Sequence, residues 1–170
     1  MPRLFTALEI PSDIGARLSI LRGGLPGARW VEPENYHITL RFIGDVDDRT
    51  ANEAADLLAG ISRQPLRISV SGLDAFGGER PRSIFARVEP TPDLLDMQAE
   101  QERVLRRAGL EPEGRKYTPH VTLARMRDVK PREVADWLAT RGGAPQFFRR
   151  RQPGDDVRGL GERQHGGPRW

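Results

Sequence analysis

Residues 37–40 read His-Ile-Thr-Leu and residues 120–123 read His-Val-Thr-Leu. The first lies in YHITLRFIG (36–44), the second in KYTPHVTLARM (116–126), and both stretches read as strands. The chain has 3 His and 7 Thr in 170 residues. Two of the three His carrying Thr two positions on by accident has a chance on the order of 0.5%, a stronger signal than a single motif match. On a strand, residues i and i+2 share a face. His37 and Thr39 therefore point one way and Ile38 and Leu40 the other; His120 and Thr122 oppose Val121 and Leu123. Each strand offers an imidazole and a hydroxyl on one side and packs a core with the other.

The elements around the motifs set the fold class. RLFTALE (3–9) reads as a strand, and Pro11-Ser12 opens a helix with Ile14, Leu18 and Leu21 at helical spacing, ended by Gly23-Gly24. Asp47 and Asp48 are candidate caps for a helix over 49–59. LRISVSGLDAF (66–76) and SIFARVE (83–89) flank Gly77-Gly78 and read as a hairpin. Thr91-Pro92 starts a helix to about Ala108. Pro131 starts a last one with Val134, Trp137 and Leu138 on its apolar stripe, closed by Gly142-Gly143. The order β-α-β-α-β-β-α-β-α, with hairpins among helices, favours α+β over a doubly wound parallel sheet.

Cysteine is absent, which excludes disulfides and thiolate sites. No apolar run reaches the ~20 residues of a membrane span. The opening MPRLFTALEIPSDIG lacks a secretory cleavage pattern, so a cytoplasmic, soluble protein is expected. Arginine supplies 25 of the 27 basic residues. The net charge of +3 comes wholly from residues 149–170, with six Arg against three acids; the first 148 residues balance at 21 and 21. Basicity alone is therefore poor evidence for a nucleic-acid partner.

Two imidazoles and two hydroxyls in one cleft suit phosphoryl chemistry. One imidazole takes a proton from water while the other protonates a leaving oxygen. Histidine titrates near neutrality, so neutral and charged copies coexist at pH 7. The Thr hydroxyls donate to phosphate oxygens as charge develops. One His-x-Thr alone reads as a half-buried strand His beside a β-branched neighbour. Two His without Cys or His-x-x-x-His spacing make a poor zinc set.

The pair HITL and HVTL, within YHITLRFIG and RKYTPHVTLAR, resembles the 2H phosphoesterase superfamily, and within it the RNA 2′,3′-cyclic phosphodiesterase (2′-5′ RNA ligase) family. The resemblance covers about residues 3–140 and includes LFTALEIP. It implies a two-lobed α+β fold of antiparallel sheets with flanking helices and both motifs in a central cleft. It implies hydrolysis of RNA 2′,3′-cyclic phosphate ends to 2′-phosphates, with reversible 2′-5′ joining of RNA ends. His37 is then the general acid for the leaving 3′ oxygen and His120 the general base for water, with Thr39 and Thr122 on the phosphate. No metal or cofactor is implied, and a monomer is expected.

Arg125 stands where the family often has Arg, but strict alternation turns it from His120 unless the strand bulges. Alternation puts Arg41 on the His37 face, where it could hold phosphate. It puts Phe42 with the core residues Ile38 and Leu40, although an aromatic there could stack a base. Related enzymes acting on other cyclic or 2′-5′ linked nucleotides, and a non-catalytic RNA-binding protein, are the alternatives. The domain is expected over 1–148. Residues 149–170 hold only Val157, Leu160 and Trp170 as apolar residues, with five Gly and two Pro. They read as a disordered or out-of-frame tail that leaves one sheet edge bare.

Overall fold

The computed structural model describes residues 3–62, 66–141 and 147–150, the last four by their backbone. In chain order these form β1 (Arg3–Glu9), α1 (Ser12–Ser19), β2 (Ala28–Trp30), a 3₁₀ turn (Pro33–Asn35) and β3 (His37–Asp45). There follow α2 (Asp48–Ala59), β4 (Arg67–Phe76), β5 (Ser83–Val88), α3 (Pro92–Arg107), β6 (His120–Met126), α4 (Pro131–Arg141) and β7 (Phe147–Arg150). The strands pair antiparallel in the order β1-β3-β6-β5-β4-β7, with β2 also on β6. An antiparallel sheet with helices is the expected α+β class.

Local chemistry explains the boundaries. The Asp47 carboxylate accepts from the Thr50 N–H and caps α2; the Thr91 hydroxyl accepts from Leu94 N–H, with Pro92 at the first position of α3. Gly77 sits at φ 112° in the β4–β5 turn, where a Cβ would lie 2.1 Å from the Arg80 carbonyl oxygen, so only glycine fits. The second motif strand starts at His120 rather than Lys116, because Pro119 has no N–H for a ladder. The helix expected to run to Gly23 ends at Ser19 and continues as turns closed by Leu21 N–H to Leu18 and Arg22 N–H to Ser19. Strand β2 precedes the first motif strand and was not among the expected strands.

One apolar cluster joins the sheet to the helices. It takes Ile38 and Leu40 from β3, Val121 and Leu123 from β6, Ile84 and Ala86 from β5, and Leu94, Met97, Val134 and Trp137 from α3 and α4. Fully burying each such aliphatic side chain contributes about 1.5–3 kcal/mol. The opposite face of the sheet carries the motif polar groups.

Two ladders, β1–β3 and β2–β6–β5–β4–β7, meet at a single bridge, Ile38 opposite Val121. Both bridge residues are in the core, at 1% and 0% exposure. Along β4, β7 pairs opposite Arg67–Val70, so that stretch of sheet edge is not bare. Arg149 and Arg150, read as the start of the tail, lie in that strand; the remainder, 151–170, lies outside the described residues. Among the described residues no helix is long and apolar enough to cross a membrane.

Candidate active site

The bridge assembles the motifs. His37 and Thr39 flank Ile38, and His120 and Thr122 flank Val121, so four polar side chains share the face opposite the core. All four are partly exposed, and the two strands have the same sequence of burial over their first six residues. The antiparallel register sets His37 toward Thr122 and Thr39 toward His120.

Both imidazoles are held alike. His37 Nδ1 lies 2.8 Å from the Asn35 carbonyl oxygen, and His120 Nδ1 lies 2.7 Å from that of Thr118. A carbonyl only accepts, so each Nδ1 carries the proton and each Nε2 is the ring atom that exchanges protons. The Phe5 ring lies 5.0 Å from His37; Phe76 and Phe85 meet His120 edge-on at 4.9 and 5.2 Å. Burial holds the His120 pKa below its usual 6.5, and the Arg125 guanidinium adds to this against the Thr118 carbonyl. A neutral His120 at pH 7 is competent to take a proton.

Each motif strand bulges at the same place. Across β1–β3, Ala7 opposes Thr39 and Thr6 opposes Arg41, leaving Leu40 extra. Across β5–β6, Phe85 opposes Thr122 and Ile84 opposes Ala124, leaving Leu123 extra. A bulge puts two consecutive residues on one side and shifts those beyond it. Leu40 and Arg41 are both buried, as are Leu123 and Ala124.

Three expectations turn on these bulges. Arg125 comes round to the motif face, as the bulge condition required. Phe42 does not join the core: it is 43% exposed, opposite Phe5, with the Arg3 guanidinium 5.1 Å from its ring centre. Arg41 is turned from the His37 face to the helix side, where it is 7% exposed. Its guanidinium pairs with Glu102 of α3 and donates to the carbonyls of Phe42 and Glu111. The structure thus groups His37, Thr39, His120, Thr122, Phe42 and Arg125 on one face and sets Arg41 apart as a strut between β3 and α3.

Two residues beside the motifs had been given no role. The Tyr117 hydroxyl donates to the Thr39 carbonyl at 2.9 Å, tying the approach to the second motif onto the first; burial pushes its pKa up, so it stays a neutral donor. An aromatic three residues before His120 was the available signal. Arg87 lies opposite His120 on β5 and pairs with Asp74 at 2.6 Å; nothing local in the sequence marks it.

Comparison with known proteins places this arrangement. The sequence model of the family LigT like Phosphoesterase matches residues 8–86 and 87–148, one motif in each segment. A protein of Aeropyrum pernix named RNA 2′,3′-cyclic phosphodiesterase is 41% identical over 116 residues, 67% of this chain and 65% of that protein. One of the same name from Archaeoglobus fulgidus is 31% identical, covering 79% of this chain and 77% of its own. The Bacillus subtilis protein of that name is 34% identical, covering 73% and 71%. Among solved structures, a Thermus thermophilus protein aligns with TM-score 0.67 at 23% identity over 87% of this chain and 81% of that one. Escherichia coli LigT complexed with 3′-AMP aligns with TM-score 0.65 at 23% identity over 76% and 75%. With one motif strand in each matched segment and the antiparallel α+β fold of these neighbours, the chain belongs to the LigT-like phosphoesterase family.

Proposed function

We propose that this chain hydrolyses RNA 2′,3′-cyclic phosphate ends to 2′-phosphates. The observation that carries the reading is the meeting of both His-x-Thr strands at Ile38–Val121, with both imidazoles and both hydroxyls on one face. The names of the relatives at 31–41% identity supply the substrate class.

His120 Nε2 takes a proton from water as its oxygen bonds to phosphorus. The bond from phosphorus to the 3′ oxygen breaks, and protonated His37 gives its Nε2 proton to that oxygen. The depressed pKa of His120 supports the base role. Thr39, Thr122 and Arg125 stabilise the non-bridging oxygens, and Phe42 offers a ring for the terminal base. With a 5′-hydroxyl in place of water, the same displacement of the 3′ oxygen joins ends through a 2′-5′ bond, and its reverse regenerates the cyclic phosphate and the 5′-hydroxyl. The proposed step uses only the two imidazoles as acid and base, and both come from one chain, so a monomer suffices. The catalytic unit is residues 1–150, two longer than expected, because Arg149 and Arg150 belong to the β7 strand that pairs with β4.

The test is turnover of a 2′,3′-cyclic nucleotide in EDTA, with the 2′-phosphate as product. His37→Ala and His120→Ala each lower kcat/KM by the ~10²–10⁴-fold typical of a lost acid or base. Unchanged turnover in both variants refutes the mechanism.

A further inference from the structure

The two imidazoles are fastened alike and surrounded differently. Each Nδ1 donates to a backbone carbonyl, at 2.8 Å for His37 and 2.7 Å for His120, so those bonds do not separate an acid from a base. The neighbouring rings do. Phe5 of β1, between the buried Leu4 and Thr6, points to the motif face. Its ring lies 5.0 Å from that of His37, with the planes 30° apart. Rings so close and so nearly parallel overlap in an offset stack, and His37 lies against the π face of Phe5. His120 instead meets Phe76 at 79° and Phe85 at 62°. Those two rings stack on each other at 4.1 Å, and His120 is nearly equidistant from both, at 4.9 and 5.2 Å. An imidazole over an outer face of that stack would be much nearer one ring, so His120 lies beside the pair, at their edges.

The two settings treat charge oppositely. An aromatic face is negative and its edge positive. A cation over the face, within about 6 Å of the ring centre, is stabilised. An imidazolium against two edges is not. Phe5 therefore favours the charged form of His37, while Phe76 and Phe85 favour the neutral form of His120.

We propose that Phe5 is the positioning residue that keeps His37 charged, and so makes it, rather than His120, the acid. The inference rests on the phosphodiesterase reading and gives a physical cause for the division of roles within it. The charged and titratable groups that the register sets beside His37 are Glu9, opposite it on β1, and His120 and Arg125 on β6, with Glu34 in the 3₁₀ turn before it. Changes at Phe5 leave all four in place.

The test is an NMR titration of the ring protons of His37 and His120, assigned by their loss in His37→Gln and His120→Gln. Phe5→Leu keeps an apolar side chain without a π face. It lowers the His37 midpoint by about half a pH unit, the scale of one exposed cation–π contact, and leaves that of His120 in place. Phe5→Tyr retains the wild-type midpoint. Pentafluorophenylalanine in place of Phe5 keeps the ring's shape, reverses the charge of its face and lowers the midpoint further than Leu. The basic limb of the kcat/KM profile, set by loss of protonated His37, moves to lower pH by the same amount in each variant. A His37 midpoint unmoved by both Phe5→Leu and pentafluorophenylalanine, or moved as far by Phe5→Tyr, overturns the inference and leaves the phosphodiesterase reading intact. Wild type without turnover of a 2′,3′-cyclic nucleotide overturns that reading, and the acid role of His37 with it.

Discussion

Replacing Arg41 with Met separates a strut from a phosphate ligand. The Arg41 side chain is 8% exposed and that of Glu102 is 15% exposed. The substitution removes the guanidinium from the Glu102 carboxylate and from the carbonyls of Phe42 and Glu111. Breaking a buried pair by deleting one partner costs about 3–5 kcal/mol. Glu102 keeps Arg106 at 3.5 Å and the Glu113 N–H at 3.0 Å, so the lower end, ~3 kcal/mol, applies. At about 2–4 °C per kcal/mol for a domain of this size, Tm falls by roughly 6–12 °C. Thermal melts at pH 7 read this directly. Turnover measured below both transitions falls far less than the ~10²-fold expected for a catalytic group. Pairing Arg41→Met with Glu102→Leu removes the stranded carboxylate and recovers much of the lost Tm. An unchanged Tm with a ~10²-fold loss of kcat/KM would show that Arg41 reaches the phosphate, and the strut reading would fall.

His120, Arg125 and Tyr117 carry the further expectations. The active form of His120 is neutral and is lost as pH falls through its depressed pKa, so the acid limb of the kcat/KM profile lies below 6.5. Arg125→Gln removes one of the two depressing influences and leaves burial, so that limb moves to higher pH; no movement, or movement to lower pH, counts against the electrostatic coupling. The same shift makes the unfolded chain bind more protons near pH 6.5, so the His120 contribution to stability is present above 6.5 and is lost as pH falls through the folded value, readable by urea denaturation across that range. Tyr117→Phe deletes the hydrogen bond to the Thr39 carbonyl and lowers stability by ~1 kcal/mol, seen as a lower urea midpoint. It also lowers kcat by loosening the register of the two motifs, and an unmoved midpoint would refute the tie.

Local chemistry carried a large part of the molecule. Asp47 and Thr91 cap helices because their side chains suit orphan N–H groups, wherever the helix later packs. The two-residue period of a strand put His37 with Thr39 and His120 with Thr122, and the apolar residues between them marked the buried face. Those relations span two or three residues, so they are legible before any partner strand is known.

Beyond Thr39 and Thr122 the local rule stops working. An extra residue in a ladder exists only relative to the partner strand, β1 for Leu40 and β5 for Leu123. Alternation, blind to the partner, sent Arg41 to the site and Phe42 to the core, and both assignments reversed. The same blindness hid β2, three residues long, whose pairing lies on β6 nearly a hundred positions away. The order of residues along the chain specifies the chemistry: two imidazoles and two hydroxyls, each pair on one face of its own strand. That the pairs meet at Ile38–Val121, and which cations stand beside them, is settled only when the strands come together. Register and bulges are properties of two strands jointly, and no single strand encodes them.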